Sequence, residues 1–331
     1  MKDRIIYLVG ITTLLIVFLS GCANTSAAED DTKVLRMGHI QNESHPWHKG
    51  SEKFAELVDE KTDGSVKIDI YPSSTLGSDR DLVEGMQIGS VDFALVAGVM
   101  SNFYEPYAIL ELPYLFEDMN HLEDFLYGPE GQNLQDETLE ETGVHGLEFW
   151  ARGPRQLTSN KPVENIDDLN GMKIRVPSIE ASIEGWQALG ANPTPMSFDE
   201  VYSSLQTGVI DGQENPILFA SNSRIQEVQD YLIMTDHVYG YVQLLASDKT
   251  FDGLTEEETN AVIEAAEEST EYQNELVVQE DEAALDAMLE ENVEVIEIDT
   301  EPFEEAVQPA NESLADKYDR ELYDTIMEMK E

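Results

Sequence analysis

The feature that most constrains this 331-residue chain is the segment from Trp150 to Pro216, in which apolar runs and helix signals alternate. Met172–Val176 alternates as a strand does and closes on Pro177. A helix over roughly 179–189 separates it from a second run, Ala191–Met196. Ser197 with Glu200 three residues on has capping-box spacing, predicting a helix from about Phe198 to Gln206 that stops at Gly208. Val209-Ile210-Asp211 then returns to a sheet, with Asp211–Pro216 expected as the turn at its carboxyl end. Strand, helix, strand, helix, strand is the parallel crossover pattern. Such sheets hold ligands at the carboxyl ends of their strands, which nominates Arg175 and Asn215 for one rim.

Arg175 lies inside an apolar strand. A guanidinium cannot discharge there, so its burial requires an anionic partner, and its planar fork suits a carboxylate. Three of the eight arginines, Arg152, Arg155 and Arg175, fall within 24 residues, in a chain of 19 basic and 68 acidic residues and net charge −49. An internal pair with one of those acids meets the requirement as well as a bound anion does. The charge itself makes nucleic acid and anionic lipid head groups poor partners. It rises toward the end: residues 252–331 hold 28 acidic and three basic side chains, a net of −25. With 41% hydrophobic residues, the acidity reads as a solvated surface suited to high salt rather than as disorder.

Residues 1–21 have the form of a signal peptide: Lys2 and Arg4, then an apolar stretch from Ile5 to Leu19 too short to span a membrane. Leu19-Ser20-Gly21-Cys22 resembles a bacterial lipobox, making Cys22 the expected lipidated first residue and 22–32 a polar tether. Cys22 is the sole cysteine, which rules out disulfides and thiolate metal sites. The remaining 310 residues suffice for two α/β domains. The first opens with a strand at Val34–Ile40, a helix from Pro46 and a strand at Val66–Tyr71. A helix capped by Ser78 and Asp81 and a strand at Val91–Val96 complete that pattern. Gln41, at the end of the first strand, and Tyr239, in a strand from Val238 to Ala246, are candidates to face the cleft. Asn120 with Glu123 predicts a helix start, Val144–Trp150 a strand, and Thr255 with Glu258 the cap of a helix reaching about Glu291. Two histidines at 45 and 48 lack a third ligand in register, so no metal is expected. Recognised catalytic and nucleotide-binding motifs are missing, and no cofactor is expected.

The motif runs resemble the substrate-binding proteins of TRAP transporters, the DctP-like family. They are Gly153-Pro154-Arg155 with Thr158-Ser159-Asn160, Lys173–Pro177, Pro193–Met196, Phe198, Glu200-Val201-Tyr202, Leu205-Gln206-Thr207 and Asp211–Pro216. In the first half they are Phe54-Ala55, Tyr71–Ser74, Leu76-Gly77, Asp79-Arg80, Gly89, Asp92-Phe93 and Leu112-Pro113-Tyr114. The resemblance implies a periplasmic-binding-protein-like fold: two lobes, each a mixed, mostly parallel sheet flanked by helices, with a long helix bridging them. The lobes would be 33–152 plus 241–280, and 153–240 plus 281–331. It implies a receptor, not an enzyme, that closes on a small organic anion and delivers it to membrane permease subunits. Arg175 would be the carboxylate clamp, supported by Arg155, with Asn215 donating from its amide, Phe198 packing on the ligand and Ser178 adding a hydroxyl. Arg152, outside the matched positions, reads as structural. Ala97-Gly98 stands where sialic-acid-binding branches carry polar side chains, which favours a compact mono- or dicarboxylate. A receptor of an ATP-driven importer shares the architecture. A secreted enzyme on an anionic substrate would need a nucleophile or base that no motif supplies.

Overall fold

The computed structural model describes residues 32–330. The signal peptide, Cys22 and the tether up to residue 31 lie outside the described residues. The first half alternates as its pattern predicts: β1 (Lys33–Gly38), helix Pro46–Lys61, β2 (Val66–Tyr71), helix Asp79–Ile88 and β3 (Phe93–Val96). Val66 and Ile68 are buried while Lys67 and Asp69 are exposed, the period-2 burial of a strand with one covered face. Ser78 and Asp81 form the capping box reciprocally. Asp118, not Asn120, caps helix Met119–Leu126, its carboxylate accepting from the His121 N–H. A helix at Pro129–Thr142 then leads into the central strand.

That strand, β4 (Val144–Ser159), runs for 16 residues, well past the expected Trp150. Then come β5 (Lys173–Val176), helix Glu180–Ala188, β6 (Asn192–Pro195), β7 (Gly212–Pro216), β8 (Tyr231–Met234), β9 (Tyr239–Ser247) and β10 (Glu294–Glu297). The strand order is β2-β1-β3-β9-β4-β7-β5-β6, with β8 joining β4 and β10 joining β8. β4 changes partners midway. Val144–Pro154 pairs antiparallel with β9, and Arg155–Ser159 pairs antiparallel with β7. The pairs β1–β3, β5–β6, β5–β7 and β8–β10 are parallel, so both lobes carry mixed sheets.

Two expectations fail locally. Asp211–Pro216 is not a turn but mostly β7, hydrogen-bonded between β4 and β5; Pro216 is tolerated as its last residue, where a missing N–H costs least. The Phe198–Gln206 helix is a 3₁₀ turn at Phe198–Glu200 followed by Val201–Gln206, and the Ser197 hydroxyl caps nothing. The Ser197 carbonyl takes the Glu200 N–H instead, at 3.3 Å.

The long helix Glu256–Glu290 has its predicted Thr255–Glu258 capping box. At 1.5 Å per residue its 35 residues reach about 52 Å. It packs on helix Pro46–Lys61, on β4 and on helix Ile217–Asn222, and so touches both lobes. Trp47, Phe54, Phe93 and Trp150 fill the core beneath it. Leu157, Ile174, Val176, Trp186 and Phe303 fill that of the second lobe. Each such side chain contributes about 1.5–3 kcal/mol by leaving water.

Candidate functional site

The three clustered arginines meet at one cavity of about 50 Å³, which shares part of its lining with another of about 120 Å³. Arg152, Arg155, Arg175, Asp79, Glu111, Asn215 and Phe198 line the first, with Trp47 and Phe219 as apolar wall. Asp79, Arg175 and Phe198 also line the second, where Ser178 joins them. Arg152 and Arg155 lie three apart on β4, and in a regular strand odd spacing sends side chains to opposite faces. Here the register slips between Ala151 and Gly153, and Gly153 takes φ +81°. The bulge adds a residue and re-aims Arg152 into the cavity that Arg155 already faces. Backbone groups at the slip are taken up by the long helix: Asn274 Oδ1 accepts from Ala151 N at 2.7 Å, and Gln273 Nε2 donates to Ala151 O at 3.1 Å.

The arginines are in different states. Arg155 is bound by Glu214: Nη2 donates to Glu214 Oε1 at 2.7 Å and to its backbone carbonyl at 2.7 Å, and Nε donates to Oε2. His237 Nε2 lies 3.0 Å from the same Oε2, and Thr235 Oγ1 lies 2.8 Å from His237 Nδ1. Burial works against the Glu214 charge, but Arg155 and His237 overcome it and bring its pKa down to about 2. This is the internal pair that residue types left open, and Arg155 holds it.

Among the described residues Arg175 has no ion-pair partner. Its Nε and Nη2 both donate to the Met196 carbonyl, at 3.1 and 2.7 Å, and its guanidinium lies 5.8 Å from the centre of the Phe198 ring. It is 4% exposed, and burial lowers its pKa to about 10, which still leaves it charged at neutral pH. Asn215, two residues along β7 from Gln213, which pairs with Arg175, has its amide pinned: Nδ2 donates to Gln213 Oε1 at 2.7 Å, and Gln213 donates to Thr158.

Arg152, read from sequence as structural, is 5% exposed, with Nε and Nη2 unpartnered. Burial, and next the like charge of Arg155, lower its pKa to about 10. Glu111 is 3% exposed with Oε1 unpartnered, and burial raises its pKa. Asp79 is half-buried as a residue, but its Oδ1 is enclosed and unpartnered, and burial raises its pKa to about 7. No sequence signal marked Glu111 or Arg152 for this site.

Two candidates lie elsewhere. Gln41 is 1% exposed but does not line either cavity, whereas Ile40 lines both and Trp47 the first. Tyr239 sits in a separate surface pocket with Tyr114, Phe116 and Lys330. Tyr241, two residues along the same face of β9, is the tyrosine near Glu111 and Arg152. His45 caps helix Pro46–Lys61 by accepting from the Trp47 N–H at 3.1 Å, and His39 and His48 bond each other at 3.1 Å.

The model of the family described as bacterial extracellular solute-binding protein, family 7 (DctP), matches residues 37–319. A solute-binding protein of Roseobacter denitrificans is 37% identical over 86% of this chain and 88% of its own length. The 2,3-diketo-L-gulonate-binding periplasmic protein of Escherichia coli is 34% identical over 88% of this chain and 89% of its own. The crystal structure of a sugar acid binding protein of Advenella mimigardefordensis, in complex with galactonate, superposes with a TM-score of 0.87. It is 33% identical, covering 90% of this chain and 97% of that one.

Proposed function

The chain belongs to the DctP family of bacterial extracellular solute-binding proteins, and from that premise we propose that it is the receptor of a TRAP transporter for a six-carbon sugar acid. Receptors of this family bind organic acids outside the cytoplasm and work with membrane permease subunits; they are not enzymes. The observation that carries the ligand reading is Arg175. It is a buried cation in a cavity with no carboxylate paired to it among the described residues, while its neighbour Arg155 has one. A ligand carboxylate supplies the missing charge through the two-pronged geometry a guanidinium offers. Asn215 donates its remaining amide N–H beside it, Phe198 covers the carbon chain, and Ser178 offers a hydroxyl from the adjoining cavity. Arg155 acts indirectly, by fixing Glu214 and through it the strand that bears Asn215.

A sugar acid replaces the compact mono- or dicarboxylate favoured by Ala97-Gly98. Support comes from the relatives named for galactonate and 2,3-diketo-L-gulonate, and from the enclosed Asp79 carboxyl, an acceptor for ligand hydroxyls. The lobes divide as 33–152 plus 241–280 and 153–240 plus 281–331, a boundary supported by the partner change on β4 between Pro154 and Arg155. Cys22 anchors the receptor as a lipoprotein, on the strength of Leu19-Ser20-Gly21-Cys22. Cys22→Ala should then leave it unprocessed or released from the membrane fraction, and unchanged fractionation would refute the anchor. The ligand is tested by thermal shift in molar salt with galactonate, gluconate, 2,3-diketo-L-gulonate, succinate and N-acetylneuraminate. A six-carbon sugar acid at 100 times its dissociation constant should add about 2.7 kcal/mol of stability. Stabilisation by succinate alone would refute the sugar-acid reading.

A further inference from the structure

Glu111 and Arg152 line the same cavity, and enclosed polar atoms of both have no hydrogen-bond partner among the described residues. We propose that Glu111 and Arg152 together read a hydroxyl on the ligand's far end, and so set the receptor's preference for long polyhydroxy acids over short ones. This assignment rests on the sugar-acid reading above.

Both side chains are almost fully enclosed, at 3% and 5% exposure, and both line the cavity. Glu111 Oε1 and Arg152 Nε and Nη2 have no hydrogen-bond partner, and no ion pair joins the two residues. Yet each feels the other: Arg152 favours the Glu111 charge, and Glu111 that of Arg152. An acceptor-only carboxylate and a donor-only guanidinium, close but not touching, leave a gap with one chemical complement. A hydroxyl accepts from the guanidinium and donates to the carboxylate at once. A second ligand carboxylate would satisfy Arg152 but meet Glu111 as a like charge, so the pair selects hydroxyl over acid at this end.

The fold makes room for both members. A Cβ on Gly98 would lie 2.0 Å from Glu111 Cδ, and one on Gly240 would lie 2.0 Å from Arg152 Nη2. Gly98, two residues past the third strand, has no side chain, and Glu111, arriving after the short helix Tyr107–Leu110, occupies that space. Arg152 reaches its place through the bulge on β4. Leaving such groups unpaired in an enclosed site is costly, which points to a partner that arrives with the ligand.

The experiment measures dissociation constants by calorimetry for galactonate and for glycerate, a three-carbon acid that can engage Arg175 without reaching the far pair. The proteins are wild type, Glu111→Gln, Arg152→Gln and Gly98→Ala. In each variant galactonate binding should weaken about 10- to 100-fold, as for loss of a hydrogen bond to a charged group, with glycerate changed less than about threefold. Gly98→Ala leaves both polar side chains intact and displaces only the carboxylate, so it tests placement. Should a variant fail to fold, wild type is titrated with aldonates deoxygenated one carbon at a time, one of which must lose at least about tenfold. Equal losses for both acids, or equal affinity for every deoxy analogue, overturn the assignment while leaving the receptor reading in place. Failure of wild type to bind any sugar acid overturns both.

Discussion

Replacing Arg155 and Arg175 singly by alanine should give opposite phenotypes, although the two guanidiniums line one cavity. Arg155→Ala strands Glu214, a carboxylate 1% exposed and held by three donors from Arg155 and His237. Breaking one side of a buried pair costs about 3–5 kcal/mol. His237 remains within 3.0 Å of Glu214 and can take up part of the charge, which favours the lower end. At about 2–4 °C per kcal/mol, the ligand-free melting temperature should fall by at least about 6 °C. Arg175→Ala removes a forked contact from a charged donor to the Met196 carbonyl, a loss of about 1.5–3 kcal/mol. It also removes a cation that burial disfavours: its folded pKa of about 10 lies below the ordinary 12.5, so at neutral pH the charged form costs the fold about 3 kcal/mol. The ligand-free protein should therefore be as stable as wild type or more so. Binding should fall by about 2–5 kcal/mol, or roughly 30-fold to several thousand-fold. Arg175→Lys should not restore it fully, because an ammonium lacks the fork. The assay is differential scanning fluorimetry of the ligand-free proteins alongside calorimetric titration with galactonate. A strongly destabilised Arg175→Ala that binds normally would make Arg175 structural and remove the receptor's central contact.

Glu214, with its folded pKa depressed to about 2, adds stability that is complete above pH 4.5 and disappears as pH falls toward 2. Wild type should lose about 3 kcal/mol over that window, and Glu214→Gln, measured by acid denaturation, should lack that step. Asp79 has the opposite sign: its pKa is raised to about 7, so its contribution is present below pH 3.8 and is lost as pH rises through 7. Asp79→Asn should raise the ligand-free melting temperature at pH 8 and leave it unchanged near pH 3.5; a flat pH response would refute the enclosed carboxyl. With −25 on residues 252–331, sodium chloride from about 10 mM to 1 M should raise the ligand-free melting temperature as the Debye length shrinks from about 30 Å to 3 Å. A flat curve would refute the self-repulsion argument.

The fold was legible wherever local chemistry and tertiary need agree. Val66–Tyr71 alternates because one face of β2 is covered, and Thr255 with Glu258 marks the start of the longest helix because the first-turn N–H groups need acceptors. β4 was not legible in full. Gly153-Pro154 reads as a break in the chain, yet Gly153 serves a bulge, and Pro154, opposite Tyr239, stands where the strand leaves one partner for another. Asp211–Pro216 misled in the same way. Its polar, glycine-containing run suggests a turn, but β4 and β5 on either side supply its backbone bonds.

Around the cavity, Arg175 and Asn215 are expected on one rim because the crossover pattern sets where strand ends lie, and both line it, whereas Phe198 and Ser178 follow from the family resemblance alone and line it or its neighbour. Arg152 could not be placed, since period-2 counting from Arg155 puts it on the wrong face and only the bulge reverses that. Glu111 is the more instructive failure. In sequence, Ala97-Gly98 reads as a loss of polar groups from the ligand's surroundings, which treats each position as if it filled its own space. In a packed interior an absent side chain is volume, and neighbouring chain fills it. The carboxylate of Glu111 lies over Gly98, so the small residue is the condition for a polar group arriving from thirteen positions along the sequence. The same holds for Gly240 beneath Arg152. Glycine at a strand end near a cleft is therefore no evidence for a bare wall; it marks a place where another segment's functional group can stand.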